Sequence, residues 1–154
     1  MTLKWIPALA LALSACATAR PERALVIDGI GDYSRTIATD EPEAQRWFDQ
    51  GLLLSYGFNH DEAVRSFDMA ASLDPDCAMA WWGKAYALGP NINGPLDEPH
   101  AVAAFEAVQE ALARKAHASP VERDLIDALA KRYEMPPPAE RASLERSLCI
   151  LIAW

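Results

Sequence analysis

The sequence predicts an all-α fold in which about three helix–turn–helix hairpins stack into an α-solenoid. Two observations lead to this prediction. Apolar residues recur at helical spacing from residue 40 onward, and breaks rich in Gly and Pro divide that pattern into short helices. Aromatic pairs also return at a constant interval, because Trp47 and Phe48 are followed 34 positions later by Trp81 and Trp82.

The composition is that of one compact domain. Of the 154 residues, 51% are hydrophobic and 23% are charged, so the chain can bury a core and does not resemble a disordered segment. Its formal net charge is −8. Because binding to phosphates requires a basic surface, this charge argues against a nucleic-acid-binding protein.

The first fifteen residues have the pattern of a signal peptide. Lys4 supplies a positive charge, and the apolar run at 5–13 is too short to span a bilayer as a helix. Leu13-Ser14-Ala15-Cys16 resembles the lipobox of bacterial lipoproteins. This resemblance implies cleavage before Cys16 and acylation of that cysteine. With Ala17 rather than Asp at the next position, it implies an outer-membrane lipoprotein that faces the periplasm.

Two alternatives to the lipoprotein stay open. An ordinary signal peptide cut after Ala15 or Ala17 would release a soluble periplasmic protein, and an uncleaved leader would serve as an anchor.

In an oxidising periplasm, a disulfide between Cys77 and Cys149 is one alternative. No cysteine framework supports that pairing, and a buried Cys77 acting as a small apolar residue is the favoured interpretation.

Residues 16–42 are predicted to be a lipid-tethered linker followed by an extended segment. Leu25, Val26 and Ile27 are expected to form a short extended piece that packs on the helical body. The Gly-Ile-Gly sequence at 29–31 lacks the third glycine of a dinucleotide-binding loop and is interpreted as a turn.

Caps and breakers place the first three helices at 41–56, 61–73 and 76–88. Asp40 is the expected N-cap of the first, with Pro42 in its first turn and Gly57 at its end. The second stops before Asp74-Pro75, and the third is closed by Gly89-Pro90.

Three further helices are predicted at 98–117, 120–133 and 139–154. A loop rich in Gly, Pro and Asn precedes the fourth helix. The fifth opens with the capping-box sequence Ser119-Pro120-Val121-Glu122, and the Pro run at 136–138 separates it from the sixth.

The aromatic pairs belong to a longer repeat. The repeated residues are Trp47, Gly51, Leu54, Ala63, Phe67, Ala70 and Pro75 in one copy, Trp81, Ala85, Leu88, Ala101, Phe105 and Val108 in the next, and Ile126, Leu129, Ala130 and Tyr133 in a partial third. Small residues at Gly51 and Ala63 are expected to let the helices of a hairpin approach, while Trp47 and Phe67 fill the space beside them.

This pattern resembles the tetratricopeptide repeat, a 34-residue helix–turn–helix unit with the signature W-x2-L-G-x2-Y, A-x3-F and a late Pro. The resemblance implies a repeat domain at 43–154, with repeats at about 44–77, 78–115 and 119–154. Gln50 and Lys84 depart from it by standing where Leu is usual, and Leu54 and Leu88 replace Tyr.

The chain also resembles larger bacterial proteins that contain many such repeats, and it ends in the apolar sequence Leu-Cys-Ile-Leu-Ile-Ala-Trp. A solenoid end normally carries a polar capping helix. Truncation or an unprotected end is therefore the expectation, and a terminal segment inserted in the core or a dimer contact is the alternative.

The chemically suggestive triplet His60, Asp61 and Glu62 is interpreted as the start of a helix. Consecutive helical residues point about 100° apart and do not converge on one ion, whereas acids suit the positive end of a helix, with Asn59 or Asp61 as the N-cap. His100 and His117 show no ligand-spaced partner. No catalytic, metal or cofactor motif is recognised, so no metal and no cofactor is expected.

The resemblance implies a non-catalytic scaffold that binds a protein or peptide in a groove lined by the first helix of each repeat. The residues expected to face this groove are Phe48, Leu52, Tyr56, Met79, Trp82 and Tyr86. The alternative for the same residues is packing on the N-terminal segment or on the next repeat, as part of the core. The alternative functions are the recognition part of a larger enzyme and a truncated remnant of a longer repeat protein.

Overall fold

The computed structural model describes residues 24–91 and 97–133, and the regular elements of these stretches are helices, with no strand. The all-α class is therefore confirmed for this part of the chain. The five helices are α1 (Pro42–Tyr56), α2 (His60–Leu73), α3 (Ala78–Leu88), α4 (Glu98–Ala113) and α5 (Pro120–Ala130), with a 3₁₀ turn (Lys115–His117) between the last two. The leader, Cys16, Cys149 and the predicted sixth helix lie outside the described residues.

Helices α1 and α2 form a hairpin. Gly57 ends α1, and its amide donates to the carbonyl of Leu53 at 2.9 Å. The chain then turns through Phe58, which has a positive φ of 61°, before α2 begins. A connection of only three residues and an extensive shared face make the two helices antiparallel neighbours.

The ring of Phe67 on α2 is the centre of the core. It is fully buried and packs against the ring of Phe48, with the ring centroids 5.6 Å apart. The predicted close approach of the helices at Gly51 is confirmed, because a Cβ there would lie 2.6 Å from Cε1 of Phe67. Gly83 on α3 borders the same ring, so this phenylalanine joins three helices.

The later helices also pack on their neighbours along the chain. Helix α3 packs against α4, and α5 packs against both α3 and α4. Trp82 on α3 donates from Nε1 to the carbonyl of Leu125 on α5 at 3.1 Å. Just beyond α5, the hydroxyl of Tyr133 donates to the carbonyl of Ala85 at 2.8 Å. The predicted capping box is confirmed, with Ser119 and Glu122 each accepting from the other's backbone amide.

Several predicted helix ends require correction. Glu41, not Asp40, caps α1, because its carboxylate accepts from the amide of Glu43. The third helix starts at Ala78 rather than at residue 76, since Asp74 holds the amide of Asp76 in a turn. The long predicted fourth helix ends at Ala113, and α5 ends at Ala130 rather than at Tyr133.

The described part of the N-terminal segment, residues 24–41, runs along α1 without forming a strand. Three polar side chains of α1 bind its backbone. Gln50 accepts from the amide of Ile27 and donates to the carbonyl of Leu25, Asp49 accepts from the amide of Arg35, and Gln45 accepts from the amide of Ile37. The glycines at 29 and 31 have positive φ, as expected of a turn.

Candidate functional site

Four of the six residues predicted to face a groove lie in the core instead. The exposed fractions are 0% for Phe48, 1% for Leu52 and Met79, and 7% for Trp82. A partner cannot reach these side chains, so the prediction of an accessible groove must be corrected for them. Their burial matches the alternative of core packing, and Ile37 of the N-terminal segment belongs to the same core.

The other two predicted residues, Tyr56 and Tyr86, are more accessible. Tyr56 is 57% exposed at the end of α1. On α3, the rings of Trp82 and Tyr86 are stacked, with centroids 5.4 Å apart and planes within 4° of parallel. Trp82 is itself largely buried, and it fixes the orientation of the partly exposed Tyr86 ring above it.

A residue outside the repeats completes this group. Tyr33, in the N-terminal segment, is 48% exposed, and its ring meets that of Tyr56 edge to face with centroids 6.2 Å apart. Asp49 holds the neighbouring residues by accepting from the hydroxyl of Ser34 at 2.7 Å and the amide of Arg35 at 3.0 Å. We call Tyr33, Tyr56 and Tyr86, with Trp82 under the last ring, the tyrosine surface.

The pKa of the Tyr56 hydroxyl reflects both its partial burial and the groups around it. Partial burial is the main reason that the pKa of its hydroxyl lies above the ordinary value of 10.0, and the nearby phenols of Tyr33 and Tyr86 raise this pKa further by charge repulsion. The guanidinium of Arg35 acts in the opposite direction. The hydroxyl of Tyr56 therefore stays protonated at neutral pH and remains a hydrogen-bond donor.

The His60, Asp61 and Glu62 triplet forms the first turn of α2, as predicted. Asn59 occupies the N-cap position but makes no side-chain capping bond. Glu62 pairs with Arg65 at 2.6 Å, and this hydrogen bond lowers the pKa of its carboxyl. The imidazole of His60 has both ring nitrogens buried and without a hydrogen-bond partner, and its ring meets that of Phe58.

His60 and Asp61 border a cavity of about 330 Å³ that Asp97 and His100 also line. The prediction that His100 has no partner at ligand spacing is wrong, because Oδ1 of Asp97, three residues earlier, lies 2.5 Å from its ring nitrogen Nδ1. Among residues 24–91 and 97–133, no three His, Cys, Asp or Glu side chains are placed to hold a metal ion.

No protein-family model matches the chain, and no curated protein or solved structure matches it at a significant level.

Within the described helices, none is both long and apolar enough to cross a membrane.

The tyrosine surface is the candidate functional site because of its geometry alone. Helical spacing from Trp47 and Trp81 was the sequence signal for three of its four residues, Tyr56, Trp82 and Tyr86. Nothing in the local sequence marked Tyr33.

Proposed function

We propose that this protein is a non-catalytic scaffold that binds a protein or peptide segment on the tyrosine surface. The observation that carries the proposal is the grouping of three partly exposed tyrosine rings from three separate parts of the chain, two of them in edge-to-face contact. Tyrosine and tryptophan are enriched among the few residues that contribute most of the binding free energy at protein interfaces. A group of exposed aromatic rings is therefore typical of a binding surface.

The surface is built to bind with little loss of conformational entropy. Tyrosine has only two side-chain torsions, and here each ring already contacts another ring. The backbone next to Tyr33 is held by Asp49, and Tyr86 rests on a tryptophan that is hydrogen-bonded to α5. Preorganised groups of this kind retain more of their interaction energy on binding.

We also propose that the hairpins are of the tetratricopeptide type. What supports this is the 34-residue recurrence in the sequence, together with the packing of each helix on its neighbours along the chain. Under this proposal α1 and α3 are the first helices of consecutive repeats, and they present Tyr56 and Tyr86 on the same side of the molecule.

A test of the scaffold function begins with a photo-crosslinking amino acid at position 56 of the full-length chain in cells. A crosslinked protein would then be purified and its Kd measured for the wild type and for Tyr56→Ala. We expect the substitution to raise the Kd by roughly tenfold, as is common for a central aromatic contact.

The matched control is Val121→Ala, because Val121 is a similarly exposed apolar residue, on α5. This control should leave the Kd unchanged, and circular dichroism should show that both variants retain their helices. Equal affinity of the wild type and Tyr56→Ala for the purified partner would rule out the tyrosine surface as the binding site.

We propose, from the lipobox resemblance, that Cys16 is acylated and tethers the mature chain to the periplasmic face of the outer membrane. Mass spectrometry of the mature N-terminus is expected to find a lipid-modified Cys16. In Cys16→Ala, cell fractionation should find the chain in the soluble fraction or as an uncleaved precursor. A mature wild-type chain that starts with an unmodified residue would contradict the lipid anchor.

A further inference from the structure

We propose that residues 24–35, which we call the strap, detach from the helical body as a unit, and that the face of α1 beneath them is a binding site for a non-helical peptide segment. In this structure the strap itself occupies that site. Peptide binding at this face goes beyond the proposed function, because it needs no partner on the tyrosine surface. Three features support it: the hydrogen bonds between the strap and α1, the polarity of their interface, and the anchor that follows the strap.

Most of the hydrogen bonds from α1 to the strap are to its backbone. Gln50 accepts from the amide of Ile27 at 3.0 Å and donates to the carbonyl of Leu25 at 2.9 Å. Asp49 accepts from the amide of Arg35 at 3.0 Å. Because every residue other than proline carries these backbone groups, bonds of this kind hold a peptide chain in place without requiring a particular side chain.

The interface between the strap and α1 is polar and incompletely filled. Asp49 and Gln50 border a cavity of about 310 Å³ that residues 26–34 line from the strap. Leu25 and Val26 are 69% and 62% exposed, so the apolar side chains at the start of the strap contribute little burial. Water can hydrate the polar groups of α1 when the strap leaves, and detachment therefore exposes little apolar surface.

The strap is followed by a firm anchor. Ile37 is 5% exposed and belongs to the core, and the amide of Ala38 donates to the carboxyl group of Glu122 on α5 at 2.8 Å. We expect opening to stop at the exposed Thr36, between the polar contacts of the strap and this apolar anchor. Segments with few buried apolar contacts open in this local way, without unfolding of the whole domain.

The strap also defines the chemistry of the ligand. Ile27 and Ile30 are partly buried against the edge of the core, and between them the chain turns at Gly29, which has a φ of 77°. A peptide that takes the place of the strap therefore carries two apolar side chains three positions apart. It also has free backbone groups for Gln50 and Asp49 to bind.

Hydrogen exchange of the full-length chain tests the detachment. After correction for intrinsic exchange rates, we expect the amides of Ile27 and Arg35 to be similarly protected and to exchange at least roughly tenfold faster than the amide of Ile37, because the strap opens while the anchor stays closed. Equal protection of all three amides would mean that the strap opens only with the anchor, and the proposal would fail.

A labelled peptide with the sequence of residues 24–35 tests the binding site. The full-length double variant Ile27→Pro/Arg35→Pro lacks two strap amides that α1 binds, while α1 itself is unchanged. We expect saturable binding of the peptide to this variant. The Kd for the wild type should be at least roughly tenfold higher, because its own strap competes within the same molecule.

The matched ligand control is a peptide that carries the same two proline substitutions, and it should bind the double variant at least roughly tenfold more weakly. Addition of Gln50→Leu to the double variant should weaken binding of the unmodified peptide to a similar degree. Circular dichroism checks that the helices are retained, and Ile27→Pro alone replaces the double variant if they are not.

Equal affinity of the wild type and the strap variant, equal affinity of the two peptides, or no binding to the strap variant would overturn the peptide site on α1. None of these measurements uses the crosslinked partner or Tyr56→Ala. The strap proposal and the scaffold function therefore fail or hold separately.

Discussion

The ring of Phe67 is held between two glycines that face it from different helices. A Cβ on Gly51 would lie 2.6 Å from Cε1 of this ring, and a Cβ on Gly83 would lie 2.3 Å from the same atom. Because Phe67 is fully buried, the ring has no free space into which to move. The contact therefore fixes the distances between α1, α2 and α3.

We predict that Gly83→Ala lowers the free energy of unfolding by about 1–3 kcal/mol. The added methyl group overpacks the core, and this cost exceeds the gain of up to about 1 kcal/mol from replacing a helical glycine. Chemical denaturation measures the change. In a Phe67→Leu background, the same substitution should cost less, because the ring that it strikes is absent. A Gly83→Ala protein as stable as the wild type would contradict this packing.

The thiol of Cys77 makes folding sensitive to alkaline pH. It is 1% exposed, and this burial raises its pKa to about 11 from an ordinary 9.0. The unfolded chain therefore loses this proton first as the pH rises. We predict that stability falls between about pH 9 and pH 11, by about 1 kcal/mol at pH 10.

Comparison with Cys77→Ala isolates this effect from other groups that titrate at high pH. Denaturation curves at pH 7.5 and pH 10 should show a stability difference between wild type and variant that shifts against the wild type as the pH rises. A difference that does not change with pH would mean that the thiol has an ordinary pKa in the folded protein.

Some of these residue roles could be predicted from the sequence and others could not. Gly51, Ala63 and Phe67 were recognised because their spacing repeats. Gly83 was missed, since the repeat aligned Gly51 with Ala85, and only the folded chain shows that Phe67 also reaches α3. Phe48 was misplaced because helical spacing identifies a face of a helix but not what covers that face.

At the scale of the elements, the helices were predictable and their ends were less so. Capping residues and prolines located all five described helices. The errors occur where a side chain competes for backbone groups, as Asp74 does before α3 by accepting from the amide of Asp76. Such competition depends on local geometry that a residue type alone does not specify.

A buried side-chain amide of α1, that of Gln50, binds the start of the described N-terminal segment. Gln50 donates to the carbonyl of Leu25 and to Oγ of Ser66, both at 2.9 Å, and accepts from the amide of Ile27 at 3.0 Å. Gln50 departs from the repeat pattern, which usually has Leu at this position, and these hydrogen bonds are the physical reason. A leucine would match the repeat but would form none of these hydrogen bonds.

We predict that Gln50→Leu releases the segment around residues 25–27 and costs about 1–2 kcal/mol of stability. Part of the lost hydrogen bonding is offset by the added apolar burial. Hydrogen exchange should show that the amide of Ile27 loses protection while the amides of α4 keep theirs. Gln109→Leu, a change at an exposed position of α4, is the control and should leave Ile27 protected.

At the scale of the whole molecule, the tyrosine surface shows what sequence patterns miss. Its residues come from the N-terminal segment, α1 and α3, and they meet only because Gln45, Asp49 and Gln50 hold that segment on α1. The repeat pattern predicts which residues of α1 and α3 share a side of the molecule. It contains no information about a segment that precedes the repeats.

The carboxyl group of Glu122 joins α5 to the segment that precedes α1. This buried group accepts from the amide of Ser119 at 2.7 Å and from the amide of Ala38, 84 positions earlier, at 2.8 Å. It thereby caps α5 and ties that helix to the segment that leads into α1. Removing it would leave two backbone amides without their acceptor.

We predict that Glu122→Ala lowers the free energy of unfolding by about 2–3 kcal/mol, from the lost helix cap and the lost long-range bond together. Hydrogen exchange should show reduced protection of both Ser119 and Ala38, because one carboxyl group serves both amides. Glu106→Ala, at an exposed position of α4, should change neither amide and cost little. If Glu122→Ala exposes Ser119 but leaves Ala38 protected, the carboxyl group acts as a local cap, and another contact joins the N-terminal segment to α5.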